Sequence, residues 1–115
     1  MADKRMVNKQ VVESDGFLRL SPKAQVLYLH LMMNADDEGF VGNTNAVMAM
    51  TDTDEDALNE LVDTGYIFAA SQTVYCITHW FVHNTIAKDR FKGTYHTNAK
   101  ANVERDGKLY RPRQR

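Results

Sequence analysis

The stretch from Thr53 to Trp80 constrains this chain more than any other. It reads TDEDALNELVDTG and then, with no spacer, YIFAASQTVYCITHW. Thr53 is placed to cap a helix, with Asp54, Glu55 and Asp56 in a first turn where the N-terminal dipole favours anions. Ala57, Leu58, Leu61 and Val62 then share one side, the apolar stripe of a half-buried helix. Gly65 sits where a left-handed residue would stop it. Two short runs rich in Tyr, Phe, Val and Ile follow on either side of Ser71-Gln72, the pattern of two strands around a hairpin turn.

Upstream, Ser21-Pro22 marks a helix start, with serine as N-cap and proline at the first helical position. Ala24, Leu27, Tyr28, Leu31 and Ala35 lie on one face, while Val26, Leu29, Met32 and Met33 cover much of the rest. A helix apolar nearly all round is expected at the centre of the core. Asp36-Asp37-Glu38-Gly39 breaks it, Phe40-Val41 fits a short strand, and Thr44 to Met50 fits a second helix with Ala46, Val47 and Met50 inward. Residues Val7 to Glu13 suit a short helix or strand, and Phe17, Leu18 and Leu20 offer apolar anchors. Trp80, Phe81, Val82 and Ile86 are expected to pack back on the core. The fold class is therefore mainly α with a small β-hairpin, an α+β chain with the element order of a winged helix-turn-helix.

Length and composition bound the rest. A chain of 115 residues with 43% hydrophobic content is one domain with room for a real core. No apolar run approaches the roughly 18 residues needed to span a membrane, and MADKRMVNKQ has no apolar segment of an export signal. Cys76 stands alone, so a buried thiol in a reducing cytoplasm is expected. Residues 1–92 are read as the folded domain. Beyond it GTYHTNAKANVERDGKLYRPRQR shows no helical stripe, and residues 93–115 are expected to be a basic, flexible tail.

The net charge of −1 hides a segregation. Between Ala24 and Ala87 there is no Lys or Arg, against nine acids, whereas Lys88 to Arg115 holds nine Lys/Arg and three acids. Such asymmetry points to a basic segment that meets a polyanion. Lys88, Arg90 and Lys92 flank Phe91, with Tyr95 close behind, a mixture suited to phosphate contact and base stacking. Lys100, Arg105, Lys108, Arg111, Arg113 and Arg115 extend the candidate DNA-binding strip around Tyr110. The helix after Thr53 is the usual groove reader of such a fold, yet Asp56, Asn59, Glu60 and Asp63 on its outward side would be repelled by phosphates. Those four residues are candidate contacts for a protein partner instead.

No catalytic constellation emerges, so no enzyme activity and no cofactor are expected. Asn34-x-Asp36-x-Glu38-Gly39 resembles the start of a calcium loop, but Asn45 stands where the bidentate glutamate belongs. Cys76, His79 and His83 have zinc-like spacing but lack a fourth ligand. The acids Asp54, Glu55 and Asp56 read as dipole partners at a helix start rather than a nuclease centre. No metal site is expected.

Three segments carry a resemblance: RMVNKQVVESDGFLRLSPKAQVLYLHL, NADDEGFV and HWFVHNTIAKDRFKGT. Together, from about Arg5 to Thr94, they resemble the N-terminal domain of bacteriophage replisome-organiser proteins, related to DnaD-like primosome components. The resemblance implies a winged-helix fold and a role in starting phage or prophage DNA replication, by binding origin DNA and helping to bring the helicase loader to it. Expected partners are thus DNA and other replication proteins, with self-association left open. The competing expectation is a protein-interaction adaptor or transcriptional regulator that uses the acidic helix.

Overall fold

A computed structural model describes residues 4–113. Its longest helix is α3 (Pro22–Asn34), preceded by α1 (Lys9–Val12) and α2 (Asp15–Leu18). Asn8 and Ser14 cap the two short helices through their side chains, accepting from the Gln10 and Phe17 amides. Ser21 caps α3, its hydroxyl accepting from Ala24 N at 3.1 Å, and Pro22 supplies the preset first φ. Ala24, Leu27, Tyr28, Leu31 and Met32 are buried along one side of α3. Val26, Leu29 and Met33 are exposed, which corrects the expectation of a helix buried all round. The chain has too few layers to wrap a central helix, so α3 is covered on one face only.

After β1 (Phe40–Val41) come α4 (Thr44–Thr51) and α5 (Glu55–Asp63). In α4 the inward residues are Thr44, Val47 and Met48, at i, i+3 and i+4, while Ala46 and Met50 face solvent, contrary to the sequence expectation. The cap of α5 is Asp54, whose carboxylate accepts from Ala57 N at 3.1 Å. Thr53, the residue expected there, spends its hydroxyl on Thr51 at 2.9 Å. Ala57, Leu58 and Leu61 are buried as their spacing requires, and Gly65 takes φ +85° just past the helix.

Strands β2 (Ile67–Ala69) and β3 (Tyr75–Ile77) form the hairpin, closed by Ala70 N and Ser71 N, which both donate to Val74 O. With β1 they make one antiparallel sheet in the order β1-β3-β2, Cys76 standing opposite Phe40 on one side and Phe68 on the other. Leu27, Leu31, Phe40, Leu61, Ile67, Ile77 and Trp80 are sealed in the core where α3, α5 and this sheet meet. Cys76 is buried there too, and burial pushes its thiol pKa up, away from the thiolate form.

The segment after residue 92 departs furthest from expectation. Short helices α6 (Trp80–His83) and α7 (Thr97–Lys100) lead to a second hairpin, β4 (Val103–Asp106) with β5 (Leu109–Pro112), turning at Gly107 with φ +63°. Ala99, Val103 and Tyr110 are buried, and the Tyr110 ring lies 5.1 Å from Phe81 and 5.7 Å from Phe40, centroid to centroid. Tyr110 N also donates to Thr78 O at 2.9 Å, tying the second hairpin to the first. Residues 97–112 are thus ordered structure packed on the core, not the flexible tail that composition suggested. The radius of gyration, 13.3 Å, matches the roughly 13 Å of a single packed body of this length. The structure is a compact α+β domain, and among the described residues no helix is long and apolar enough to cross a membrane.

One acid of α5 has an internal task. Glu60 accepts from Ser21 N and Ser21 Oγ, each at 2.7 Å, and so locks α5 to the start of α3. Glu60→Ala should cost about 1.5–3 kcal/mol, the range for hydrogen bonds to a charged group. Asp63→Asn, on the exposed side, should stay within about 0.5 kcal/mol. Urea titration of the two variants compares them directly, and equal stabilities would deny Glu60 this role.

Candidate nucleic-acid interface

Asp36, Asp37 and Glu38, between α3 and β1, gather the two ends of the chain around themselves. Asp36 Oδ1 accepts from Glu38 N and Phe40 N, and its Oδ2 takes the Thr94 hydroxyl. Asp37 Oδ1 holds Arg5 Nη1 at 3.0 Å and its Oδ2 accepts from Lys92 N at 2.9 Å. Burial alone would raise the Asp37 carboxyl, but the Lys92 amide and the Arg5 guanidinium outweigh it and hold the pKa below its ordinary value. Glu38 is buried, taking Thr94 N at 2.7 Å and Lys100 Nζ at 2.7 Å. Trp80 Nε1 donates to Asp37 O, and the Arg5 guanidinium lies over the indole at 5.2 Å.

His83 and Asn84 fasten the N-terminal arm from the other side. Asn84 Oδ1 accepts from Met6 N at 2.8 Å, and His83 Nδ1 accepts from Asn8 N at 2.8 Å. Because Nδ1 is an acceptor, the imidazole proton resides on Nε2, which reaches the Tyr28 hydroxyl at 2.8 Å. Burial and the neighbouring His79 draw the His83 pKa down to about 4. Burial lowers His79 as well and raises Tyr28.

These shifts set an acid sensitivity. His83 is neutral in the folded chain, so the stability it contributes is complete above its ordinary value of 6.5 and is lost as pH falls from there toward about 4. Urea melts at pH 7, 5.5 and 4 should show a steeper loss for the native sequence than for His83→Gln. Parallel losses would remove His83 as the source.

Between the arm, the C-terminal end of α3 and the segment 84–96 lies an open crevice of about 1410 Å³. Lys4, Arg90, Lys92, Tyr95 and His96 stand around it, and Arg5 and Asn84 contribute to its wall. Tyr95 is 92% exposed.

The structure divides the expected basic strip. Lys88, Arg90 and Lys92 are exposed beside Phe91, and no ion pair engages them among the described residues. Lys108 is likewise exposed and unpaired at the tip of the second hairpin. The others hold the fold. Lys100 pairs with Glu38, and Arg111 pairs with Glu104 at 3.0 Å and Asp106 at 3.6 Å. Arg105 lies 3.6 Å over the Phe81 ring, and Arg113 donates to Ala101 O and Val103 O. Arg115 lies outside the described residues. On α5, Asp56, Asn59 and Asp63 are exposed, while Glu60 is engaged with Ser21.

Of the calcium-like Asn34, Asp36 and Glu38, the two acids are engaged in these chain ties, and Asn34 bonds to His30 O and Asn43. Of the zinc-like set, His83 uses both ring nitrogens internally. Among the described residues no three His, Cys, Asp or Glu side chains converge as a metal ion requires. Lys4, Arg5, Asn84 and His96 were not legible as site residues, since they meet only when both chain ends fold onto the 36–38 loop. No family model, no curated protein and no solved structure matches the chain.

Proposed function

We propose that the chain is a non-enzymatic module of phage or prophage type replication initiation, a winged-helix domain that binds DNA through the exposed turn at 88–92. The order α3, β1, α4, α5, β2, β3 with a β1-β3-β2 sheet supports the winged-helix reading. The observation that carries DNA binding is the set Lys88, Arg90 and Lys92, unpaired among the described residues and next to the exposed rings of Phe91 and Tyr95. Cations whose charge is not spent internally exchange counterions for phosphates, and exposed rings accept bases. This narrows the basic strip to its first five residues, with Lys108 as a further phosphate ligand.

A second reading follows from α5. Its exposed Asp56, Asn59 and Asp63 form a surface that phosphates would avoid and that a cationic protein partner, such as another replication protein or a regulator, would fit. The two readings use different surfaces and are compatible.

Fluorescence anisotropy with single- and double-stranded DNA at two salt concentrations tests the first. The Lys88→Ala, Arg90→Ala, Lys92→Ala triple variant should bind more weakly. Its slope of log K against log salt should flatten by about 0.7–0.9 for each phosphate that is no longer neutralised. Affinity and slope both unchanged would refute it. An Asp56→Asn, Asp63→Asn variant should bind DNA at least as well as the native sequence.

A further inference from the structure

We infer that the recess beneath the second hairpin binds a phosphomonoester, through Arg105, Arg113, Lys100 and the Tyr110 hydroxyl. The recess measures about 560 Å³, and these four residues line it together with Glu38 and Phe81. Pairing sets Arg105 opposite Tyr110, and Val103 precedes Arg105 by two, so all three share the hairpin face turned to the core. Tyr110 is 6% exposed and packs on the rings of Phe40 and Phe81. Its hydroxyl makes no hydrogen bond among the described residues. Among those residues the sealed polar atoms without a partner belong to Arg5, His79 and Asn84, so the Tyr110 hydroxyl keeps an open side. Burial foremost, then the nearby Cys76, Glu38 and Asp36, raises its pKa, so it is a neutral donor.

The two guanidinium groups are fixed in advance and have donors to spare. Arg105 Nε donates to Gly107 O at 2.7 Å, and its guanidinium carbon lies 3.6 Å from the centre of the Phe81 ring. Arg113 Nε donates to Ala101 O at 3.1 Å and its Nη2 to Val103 O at 3.3 Å. Both nitrogens Nη of Arg105 and Nη1 of Arg113 remain unpartnered, and neither side chain has an ion pair among the described residues. A guanidinium held in place beforehand loses little freedom when it closes on an oxyanion. Glu38 is the acid of the recess, and Thr94 N and Lys100 Nζ already occupy its two oxygens. Three cations against that one acid leave two positive charges in surplus. A phosphomonoester brings nearly two negative charges and three strong acceptors, where a carboxylate or a phosphodiester brings one charge. Arg105 covers the Phe81 face, so the recess reads the phosphate and offers no ring to a base.

This inference deepens the DNA-binding reading where the monoester is the 5′ end of a strand, and stands without it where the monoester belongs to a small molecule. Three probes separate the cases: thymidine 5′-monophosphate, and oligothymidylate of about twelve nucleotides with and without a 5′-phosphate. The 5′-phosphorylated strand should bind about tenfold tighter than its 5′-hydroxyl twin. Tyr110→Phe removes one oxygen and keeps the packed ring. It should weaken the mononucleotide about tenfold, the loss of one hydrogen bond to a charged group, and abolish most of the preference for the 5′-phosphate. Arg105→Lys keeps the charge without the fixed fork and should weaken the mononucleotide by a similar factor. The Lys88→Ala, Arg90→Ala, Lys92→Ala triple variant should weaken both strands alike and retain the preference.

In the native protein, thymidine monophosphate should shift the Nε–H resonances of Arg105 and Arg113 and thymidine should not, a readout that stands even where a variant does not fold. Binding of the mononucleotide with no binding of either strand upholds the recess and refutes the DNA-binding reading. Equal binding of the two strands, with both arginine resonances unmoved by the mononucleotide, refutes the recess and leaves that reading intact. Mononucleotide binding unchanged in Tyr110→Phe and Arg105→Lys also refutes the recess. Failure of all three probes to bind overturns both.

Discussion

Trp80→Ala is expected to cost about 3–5 kcal/mol and to lower the melting temperature by more than about 10 °C. The indole has no solvent exposure, and three things rest on it. Its Nε1–H satisfies Asp37 O, its face carries the Arg5 guanidinium, and its body fills the space beneath the 36–39 turn. Gly39 shows how closely that turn is fitted. A Cβ built there would lie 2.6 Å from Trp80 Cγ, and φ is +88°, a region disfavoured for any residue with a side chain. Gly39→Ala should therefore be destabilising by about 1–3 kcal/mol from overpacking, before backbone strain is added. In the double variant the two losses should be less than additive, because removing the indole opens the space the alanine needs. Thermal melts of the three variants provide the check. An unchanged curve for Trp80→Ala would place the core elsewhere, and strict additivity would deny that the two residues touch.

Truncation after Lys92 should have the second large effect, and its expected outcome depends on the second hairpin being structural. The cut removes Val103 and Tyr110, each a buried side chain whose burial contributes about 1.5–3 kcal/mol. It also strips Glu38 of Thr94 N and Lys100, leaving a buried carboxylate without those partners. The ordering entropy of the deleted residues is recovered, which offsets part of the loss. The expected net result is a loss of several kcal/mol, with Phe40 and Phe81 uncovered and apolar-dye binding increased. A truncated chain that melts with the native curve and binds no dye would return residues 93–115 to the status of an appendage. Loss of DNA binding on truncation would say little by itself, since the cut also damages the fold. Point variants at Lys88, Arg90 and Lys92 are the cleaner probe of function.

The second hairpin also shows where reading by composition failed. Its strands are four residues each, too short for a periodic stripe, and half of their side chains are charged. The signal that was present is local. Gly107-Lys108 forms a two-residue loop between the paired Asp106 and Leu109, with glycine at its first position, the residue that tight hairpin turns favour there. A cation count also leaves out which charges are already engaged within the fold. Arg105, Arg111 and Arg113 look like a nucleic-acid strip in one dimension, but cross-strand pairing sets Arg111 against Glu104, and the fold lays Arg105 on Phe81.

What the sequence determined by itself was whatever depends on residues within a turn or two of one another. Ser21-Pro22 starts α3, Gly65 ends α5, the 3.6-residue spacing of Ala57, Leu58 and Leu61 selects their buried side, and β2–β3 follow from their apolar runs. Those forces are local backbone preference and amphipathic burial, and they act over a few residues. Only the tertiary structure decided which face of α3 lies bare, that Glu60 belongs to Ser21, that the 36–38 acids bind both ends of the chain, and that Asn84 holds the N-terminal arm through Met6 N. Each of those outcomes joins groups some thirty to eighty positions apart. They are settled by which buried donors and charges find partners once the core has closed, and no local pattern encodes that pairing.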